Sequence, residues 1–192
     1  MKQFSFLPII LFVLLLPACK PGYDKVTGQM KAMENRLYGP GTTSFDKVKG
    51  DSLMTLYQKF IDRFPKDTLT PSVVFKMANL AVNLGHADTA ILFFDRYIKD
   101  YPEGPKAEVC LFFKAFVYEN NLQDFDKAKE LYLLFLEKYP DSEFADDAQV
   151  ALNNLGKSPD QFFMEFEAKR KADSMQKADS LAGLAVRKKK SR

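Results

Sequence analysis

The chain has 192 residues, with 28 Lys and Arg, 25 Asp and Glu and one His, so its formal net charge is +3. An apolar content of 46%, including 18 Phe, is enough to offset the entropy of ordering and excludes a fully disordered chain. Two Cys exclude a disulfide scaffold, and a single His excludes zinc sites that need two imidazoles. The nearly balanced charge gives no reason to expect nucleic acid as a partner.

The N-terminal segment is predicted to be a targeting signal. Lys2 precedes an apolar run over residues 4–16, which is too short to span a membrane and suits the core of a signal peptide. The run ends in Leu-Pro-Ala-Cys, with the Cys at position 19. This ending resembles the bacterial lipobox, which implies a signal peptide over 1–18 and acylation of Cys19, with palmitate among the expected acyl groups. More than one acyl chain gives a stable membrane anchor. The alternative is an ordinary secretory signal peptide in which Cys19 has no role.

The residue after the Cys indicates the destination of the protein. In lipoproteins of well-studied Gram-negative bacteria, Asp at this position resembles an inner-membrane retention signal, whereas this chain has Lys20. The resemblance therefore implies the outer membrane, with the body of the protein in the periplasm. Pro and Gly at positions 21 and 22 disfavour regular structure, and we expect a lipidated tether over residues 19–25.

The body of the chain, residues 26–166, carries a repeated motif of the form aromatic-x-x-aromatic-Ile/Leu-x-x-aromatic-Pro. Its three copies end at Pro65, Pro102 and Pro140, which are 37 and 38 residues apart. Aromatics at i, i+3 and i+7 lie on one face of a helix, and the Pro ends that helix. A fixed period of this length predicts a solenoid in which each hairpin buries its aromatic stripe against a neighbouring one.

Small and aromatic residues at fixed positions in the repeats resemble the tetratricopeptide repeat, a helix–turn–helix unit. In second helices the matching residues are Ala90, Phe94, Tyr97 and Pro102, then Ala128, Tyr132, Phe135 and Pro140. In first helices they are Ala78 and Ala81, then Ala115 and Tyr118. The longer period is similar to that of the periplasmic subfamily. The resemblance implies an all-α tetratricopeptide-like solenoid with a C-terminal helical extension.

Eight helices are predicted from periodicity and capping signals. The first seven cover residues 26–38, 44–64, 71–84, 88–101, 106–120, 124–139 and 142–155. Ser44 and Ser142 are predicted N-caps, Gly85 is predicted to end the third helix, and Ser158 with Gln161 forms a capping box for the eighth. In the eighth helix, the aromatic side chains expected to cover the open end of the stack are Phe162, Phe163 and Phe166.

Residues 167–192 are predicted to form a charged helical tail that projects from the body. Few large apolar residues remain there, and a Lys-Ala-Asp-Ser unit recurs at positions 171 and 177. The tail ends in a basic cluster over residues 187–192. This cluster is either a solvated terminus or a contact site for anionic lipid head groups or another acidic surface.

No catalytic or metal site is predicted. Cys110 lies in an apolar helix and is expected to be a buried structural thiol, and His86 lies in a turn. The hypothesis of a small envelope hydrolase needs a nucleophile beside a base, and the chain offers only this Cys and this His. We therefore predict a protein that is not an enzyme and needs no cofactor or metal.

The predicted functional surface is a groove, because in tetratricopeptide arrays the first helices of the hairpins line the concave face. By the register of the matched positions, the groove residues are Phe75, Asn79, Val82, Asn83, Phe112, Phe116, Glu119 and Asn120. Asn side chains both donate to and accept from a peptide backbone, and Phe rings offer apolar pockets. The alternative for each Phe is a place in the core.

Two groups share this type of repeat. The chain resembles the tetratricopeptide lipoprotein of the outer-membrane β-barrel assembly machine, and also the coordinator that links the Tol–Pal system with cell-wall synthesis. Both resemblances imply a periplasmic scaffold that binds other envelope proteins, and the lipobox resemblance implies attachment to the membrane through Cys19. A third possibility is that the groove binds a small hydrophobic ligand.

Overall fold

The computed structural model describes residues 21–42 and 44–190, so the signal-peptide and lipidation predictions lie outside the described residues. Within that part of the chain the fold is all-helical, which confirms the predicted fold class. The eight helices are α1 (Tyr23–Tyr38), α2 (Lys47–Arg63), α3 (Thr70–Leu84), α4 (Ala87–Asp100), α5 (Ala107–Asn120), α6 (Phe125–Lys138), α7 (Ala145–Asn154) and α8 (Pro159–Lys190).

Helices α1 to α7 form three hairpins and a half. Each of these helices packs against the next one in the chain, as short connections between antiparallel neighbours require. The three motif prolines follow α2, α4 and α6 after one intervening residue, which agrees with the prediction that Pro ends the second helix of each hairpin.

The motif aromatics form the core between the hairpins. The first two rings of each copy are at most 2% exposed: Tyr57, Phe60, Phe94, Tyr97, Tyr132 and Phe135. Each such ring contributes about 1.5–3 kcal/mol by leaving water. The matched alanines on both helices are fully buried, which lets the helix axes approach closely: Ala78, Ala81, Ala90, Ala115 and Ala128. The aromatic stripe therefore holds successive hairpins together.

Three connections lie on one edge of the stack, because successive helices alternate in direction. They are 64–69, 101–106 and 139–144, and we call this side the proline edge. The first connection is held by local hydrogen bonds: the Thr70 hydroxyl donates to the carbonyl of Phe64 at 2.5 Å, and Asp67 Oδ1 accepts from the Leu69 amide at 3.0 Å. These bonds give the α2–α3 connection a defined shape.

Several predicted helix ends differ from the observed ones. α1 begins at Tyr23, within the expected tether. Asp46, rather than Ser44, caps α2, since its carboxylate accepts from the amide of the third helical residue at 3.1 Å. Ser142 does not cap α7 directly; its hydroxyl accepts from the Phe144 amide in the turn before the helix.

Other predicted helix ends are confirmed. Gly85 follows α3 with φ 80°, a left-handed conformation that Gly adopts without strain. The capping box before α8 is reciprocal. The Ser158 amide donates to Gln161 Oε1 at 2.9 Å, and the Gln161 amide donates to Ser158 Oγ at 3.2 Å.

Helix α8 continues from Pro159 to Lys190 without a break between the closing helix and the tail. The prediction that its aromatic residues cover the end of the stack is wrong for Phe163 and Phe166, which are 62% and 56% exposed. The side chain of Phe162 lies outside the described part of the structure. Phe144, from the connection before α7, covers Phe112 of α5 by stacking on it with ring centroids 5.0 Å apart.

Candidate protein-binding groove

A groove of about 420 Å³ runs between α1 and α3 on one face of the stack. Both helices are first helices of their hairpins and both pack against α2, which forms the floor. We call it the α1–α3 groove. Its lining residues are Glu34, Asn35, Tyr38, Gly39, Tyr57, Phe75, Lys76, Asn79, Leu80 and Asn83.

A buried tyrosine and a carboxylate organise the centre of the groove. The ring of Tyr57 is 2% exposed, and its hydroxyl donates to Glu34 Oε1 at 2.7 Å. The same carboxylate oxygen accepts from Lys76 Nζ at 2.9 Å, so it joins α1, α2 and α3. Burial raises the pKa of Tyr57 well above its usual range, and the hydrogen bond to Glu34 raises it further. The hydroxyl therefore stays protonated and remains a donor.

Aromatic and amide side chains form the rest of the lining. Tyr38 is 54% exposed, while Phe75 is half-buried with its ring edge against Tyr97, the centroids being 6.2 Å apart. The ammonium of Lys106 lies 5.6 Å from the centroid of Phe75, a distance suited to a cation–π contact. One amide N–H of Asn79 donates to the carbonyl of Phe75 at 2.9 Å, which fixes the amide on the surface of α3.

The tyrosine–glutamate pair recurs in the third hairpin. Tyr132, at the same motif position as Tyr57, donates its hydroxyl to Glu119 Oε2 on α5 at 2.7 Å. Burial again raises the pKa of this tyrosine well above its usual range, with the hydrogen bond to Glu119 adding to the effect. In the second hairpin the corresponding residues are Phe94 and Val82. At this motif position each buried tyrosine hydroxyl thus has a carboxylate acceptor, and where the ring lacks a hydroxyl the corresponding residue is apolar, as the cost of an unpaired buried donor requires.

The predicted groove residues do not all fall in one site. Phe75, Asn79 and Asn83 line the α1–α3 groove, and Val82 is half-buried and packs against the core. The others lie on α5, where Phe116 is 37% exposed. The amide of Asn120, an exposed residue, donates to the carbonyl of Phe116 at 3.1 Å.

Phe112 requires a correction. Its ring is 8% exposed and packs among Tyr132, Phe135 and Phe144, with centroids 5.0–5.8 Å away. It belongs to the core and is not available to a partner. The alternative that this Phe has a place in the core is therefore correct, because Phe144, in the connection before α7, covers it.

Sequence reasoning missed seven lining residues: Glu34, Asn35, Tyr38, Gly39, Tyr57, Lys76 and Leu80. The first three lie on α1, and Gly39 directly follows it. The sequence predicts α1 as a helix but not as the first half of a repeat. The connection between α1 and α2 is longer than those inside the later hairpins, so α1 falls out of the repeat register. One sequence signal could have indicated this part of the lining. It is a Glu in the last two turns of a first helix together with a Tyr at the first motif position of the second helix.

The two candidate catalytic residues lie in different environments. Cys110 is 0% exposed, and burial raises the pKa of its thiol to about 12, so the thiolate is not populated at neutral pH. His86 is exposed at the turn before α4, with Nε2 3.2 Å from Asp51 Oδ1. Over residues 21–42 and 44–190, no cluster of His, Cys, Asp and Glu has the composition of a metal site. Within those same ranges, no helix combines the length and apolarity needed to cross a membrane.

The stacked hairpins, the Pro-terminated second helices and the groove lined by first helices define a tetratricopeptide-like helical repeat protein. The family described as YfiO, outer membrane lipoprotein, matches the chain over residues 30–158. The chain belongs to this family of outer membrane lipoproteins, which supports a location in the cell envelope. Among curated proteins, none matches the chain.

Proposed function

We propose that the chain is a scaffold in cell-envelope assembly, anchored in the outer membrane by acyl groups on Cys19 and facing the periplasm. In this proposal the α1–α3 groove binds a segment of a partner protein, and the protein performs no catalysis. Membership of the outer membrane lipoprotein family supports the compartment and the general role. The α1–α3 groove supports the proposed mode of action, which is the binding of a partner segment.

The composition of the groove is the observation that carries the proposal. Tyr38 and Phe75 offer aromatic surface, and Asn35, Asn79 and Asn83 offer amides that can pair with the backbone of an extended peptide. Aromatic anchors beside satisfied polar groups are typical of protein-binding surfaces. A peptide with apolar side chains at alternate positions fits this surface best.

The centre of the groove is held in place before any partner arrives. Glu34 accepts from both Tyr57 and Lys76, so three helices are joined at the site of binding. A surface whose side chains are already ordered loses less entropy on association. The groove therefore acts as a rigid receptor, and the partner segment supplies the flexibility.

In tetratricopeptide arrays the first helices share one face, and α5 is the first helix of the third hairpin. Phe116 and Asn120 are exposed there. A partner segment that extends beyond the α1–α3 groove would meet these side chains next. We therefore include Phe116 among the residues expected to contribute to capture.

Affinity purification of the tagged, detergent-solubilised protein tests the proposal. We expect Phe75→Ala and Phe116→Ala to weaken capture of the partner, by about 30-fold if the ring is a binding hot spot worth about 2 kcal/mol. Leu92→Ala is the matched control, because Leu92 is 63% exposed on α4, a second helix outside the groove. Thermal unfolding of each variant separates lost binding from lost folding.

The result that contradicts the proposal is capture that does not differ between the groove variants and the control. The identity of the captured protein separates β-barrel assembly from the Tol–Pal and cell-wall alternative. Native mass spectrometry of the purified protein tests the remaining alternative, since a bound small apolar molecule would add a defined mass.

A further inference from the structure

The beginning of the described chain is packed against the α2–α3 connection. The ring of Tyr23 lies 5.9 Å from that of Phe60 and 5.3 Å from that of Phe64, measured between centroids. Gly22 adopts a left-handed conformation with φ 77°, and a Cβ added to it would lie 2.9 Å from Arg63 Nη1. Pro21 shares a shallow surface depression with residues 63–67. The position of Pro21 is thus fixed to the repeat domain.

The fixed position of Pro21 limits the distance between the lipid anchor and the domain. Cys19 precedes Pro21 by two residues, and an extended chain spans at most about 3.6 Å per residue, or about 7 Å in all. Because α1 already begins at Tyr23, the expected tether contains little free chain. Acyl groups on Cys19 would therefore insert into lipid directly beside the α2–α3 connection.

We propose that the surface formed by residues 63–69, on the proline edge, rests against the phospholipid surface that holds the acyl chains. This inference depends on the acylation of Cys19 in the proposed function. It assigns an orientation to the domain: the connection between the first two hairpins faces the bilayer, and the α1–α3 groove lies farther from the bilayer, toward the other end of the helices.

The charge of this surface suits anionic head groups better than the rest of the proline edge does. Arg63 and Lys66 are exposed, whereas the carboxylate of Asp67 is 8% exposed and accepts from the Leu69 amide. The side chain of Leu69 is itself 44% exposed and can enter the interface. Nearby exposed acidic residues are Asp24 and Asp62, with Lys25 beside the former.

The equivalent stretches of the later hairpins carry a net negative charge instead of a positive one. Residues 100–106 contain two acidic residues and one Lys, and residues 138–144 contain one Lys and two acidic residues. The net charge of the three stretches therefore changes from +1 at the first to −1 at each of the others. Basic side chains near an anionic membrane are attracted to it and acidic ones are repelled. The first connection is thus the contact, and the later ones rise away from the bilayer.

Fluorescence quenching on vesicles tests this orientation with the full acylated chain. A fluorophore is attached at Lys66→Cys or, as the matched control, at Val48→Cys, since Val48 is 76% exposed at the other end of α2. The two positions are roughly 25 Å apart along the helix axis. Cys110 is 0% exposed and does not compete for the label in the folded protein. The vesicles contain phosphatidylethanolamine, phosphatidylglycerol and a lipid with a spin-labelled head group as quencher.

We expect several-fold stronger quenching at position 66 than at position 48. A Gly/Ser insertion of about twelve residues between Lys20 and Pro21 spans roughly 20 Å and should remove this difference. Equal quenching at both positions in the chain without the insertion would overturn the proposal.

Mass spectrometry and vesicle flotation distinguish a wrong orientation of the domain from the absence of acylation on Cys19. A chain without acyl mass that does not float with the vesicles refutes the lipid attachment and the orientation together. An acylated chain that floats but shows equal quenching refutes the orientation alone.

Discussion

The hydrogen bond between Tyr57 on α2 and Glu34 on α1 is expected to stabilise the first hairpin. Glu34→Val removes the acceptor of a hydroxyl whose ring is 2% exposed. An unsatisfied buried donor costs about 1–3 kcal/mol. The variant also breaks the contact with Lys76, but both side chains of that ion pair are partly exposed, so it adds less than about 1 kcal/mol. We therefore expect Glu34→Val to lower the free energy of unfolding by about 2 kcal/mol.

The companion variants complete a double-mutant cycle. Tyr57→Phe removes the hydroxyl but leaves Glu34 with Lys76 and water, and should cost about 1 kcal/mol. The double variant reproduces the pair that the second hairpin already contains, Phe94 and Val82. Because donor and acceptor disappear together, we expect the double variant to be more stable than the sum of the two single effects predicts, by about 1–2 kcal/mol.

Urea unfolding followed by circular dichroism measures all four proteins under one condition. A parallel cycle with Glu119→Val and Tyr132→Phe serves as a replicate in the third hairpin. Single effects that add to within about 0.5 kcal/mol would refute the reasoning, because additivity means that the two side chains do not depend on each other.

Three further predictions concern titration, packing and reactivity. Burial raises the pKa of Tyr57 and Tyr132 above the usual 10.0, so the stability that their hydroxyls provide is complete below about pH 10 and falls as the pH rises further. Replacing both residues by Phe should make the urea midpoint fall less steeply with pH in this range. A midpoint that falls equally steeply in the variant would contradict the prediction. Gly28→Ala should stabilise the chain by about 0.5–1 kcal/mol because its Cβ would meet no atom within 4 Å. Gly50→Ala, whose Cβ would lie 2.8 Å from a buried leucine methyl, should destabilise it by about 1–3 kcal/mol, and thermal unfolding that ranks the two variants the other way would contradict the packing. Cys110 should react with a maleimide only after unfolding, and rapid labelling of the native protein would contradict its burial.

Much of the fold could be predicted because its signals are local. A Pro after each second helix and a stripe of aromatic residues at helical spacing both act within a single hairpin. The capping box of α8 is likewise contained in four residues and was predicted correctly. The start of α2 was misplaced because Ser44 and Asp46 are both good caps, and only the backbone path selects the second.

The candidate site was less predictable because it depends on contacts between hairpins. Phe112 and Phe116 lie one turn apart on α5, yet the first is core and the second is 37% exposed. The difference arises from Phe144, which stacks on Phe112 from a connection more than thirty residues away. Phe163 and Phe166 show the reverse case, since a local apolar cluster predicted burial and no neighbouring element covers those two rings.

The central claim is that the α1–α3 groove holds a segment of an envelope protein, and site-specific photocrosslinking in living cells tests it most directly. A crosslinking residue is placed at position 83, which is exposed and lines the groove, or at position 92 on α4 as the control. We predict a discrete adduct with an envelope protein from position 83 and none from position 92. No adduct from position 83, or the same adducts from both positions, would contradict the claim.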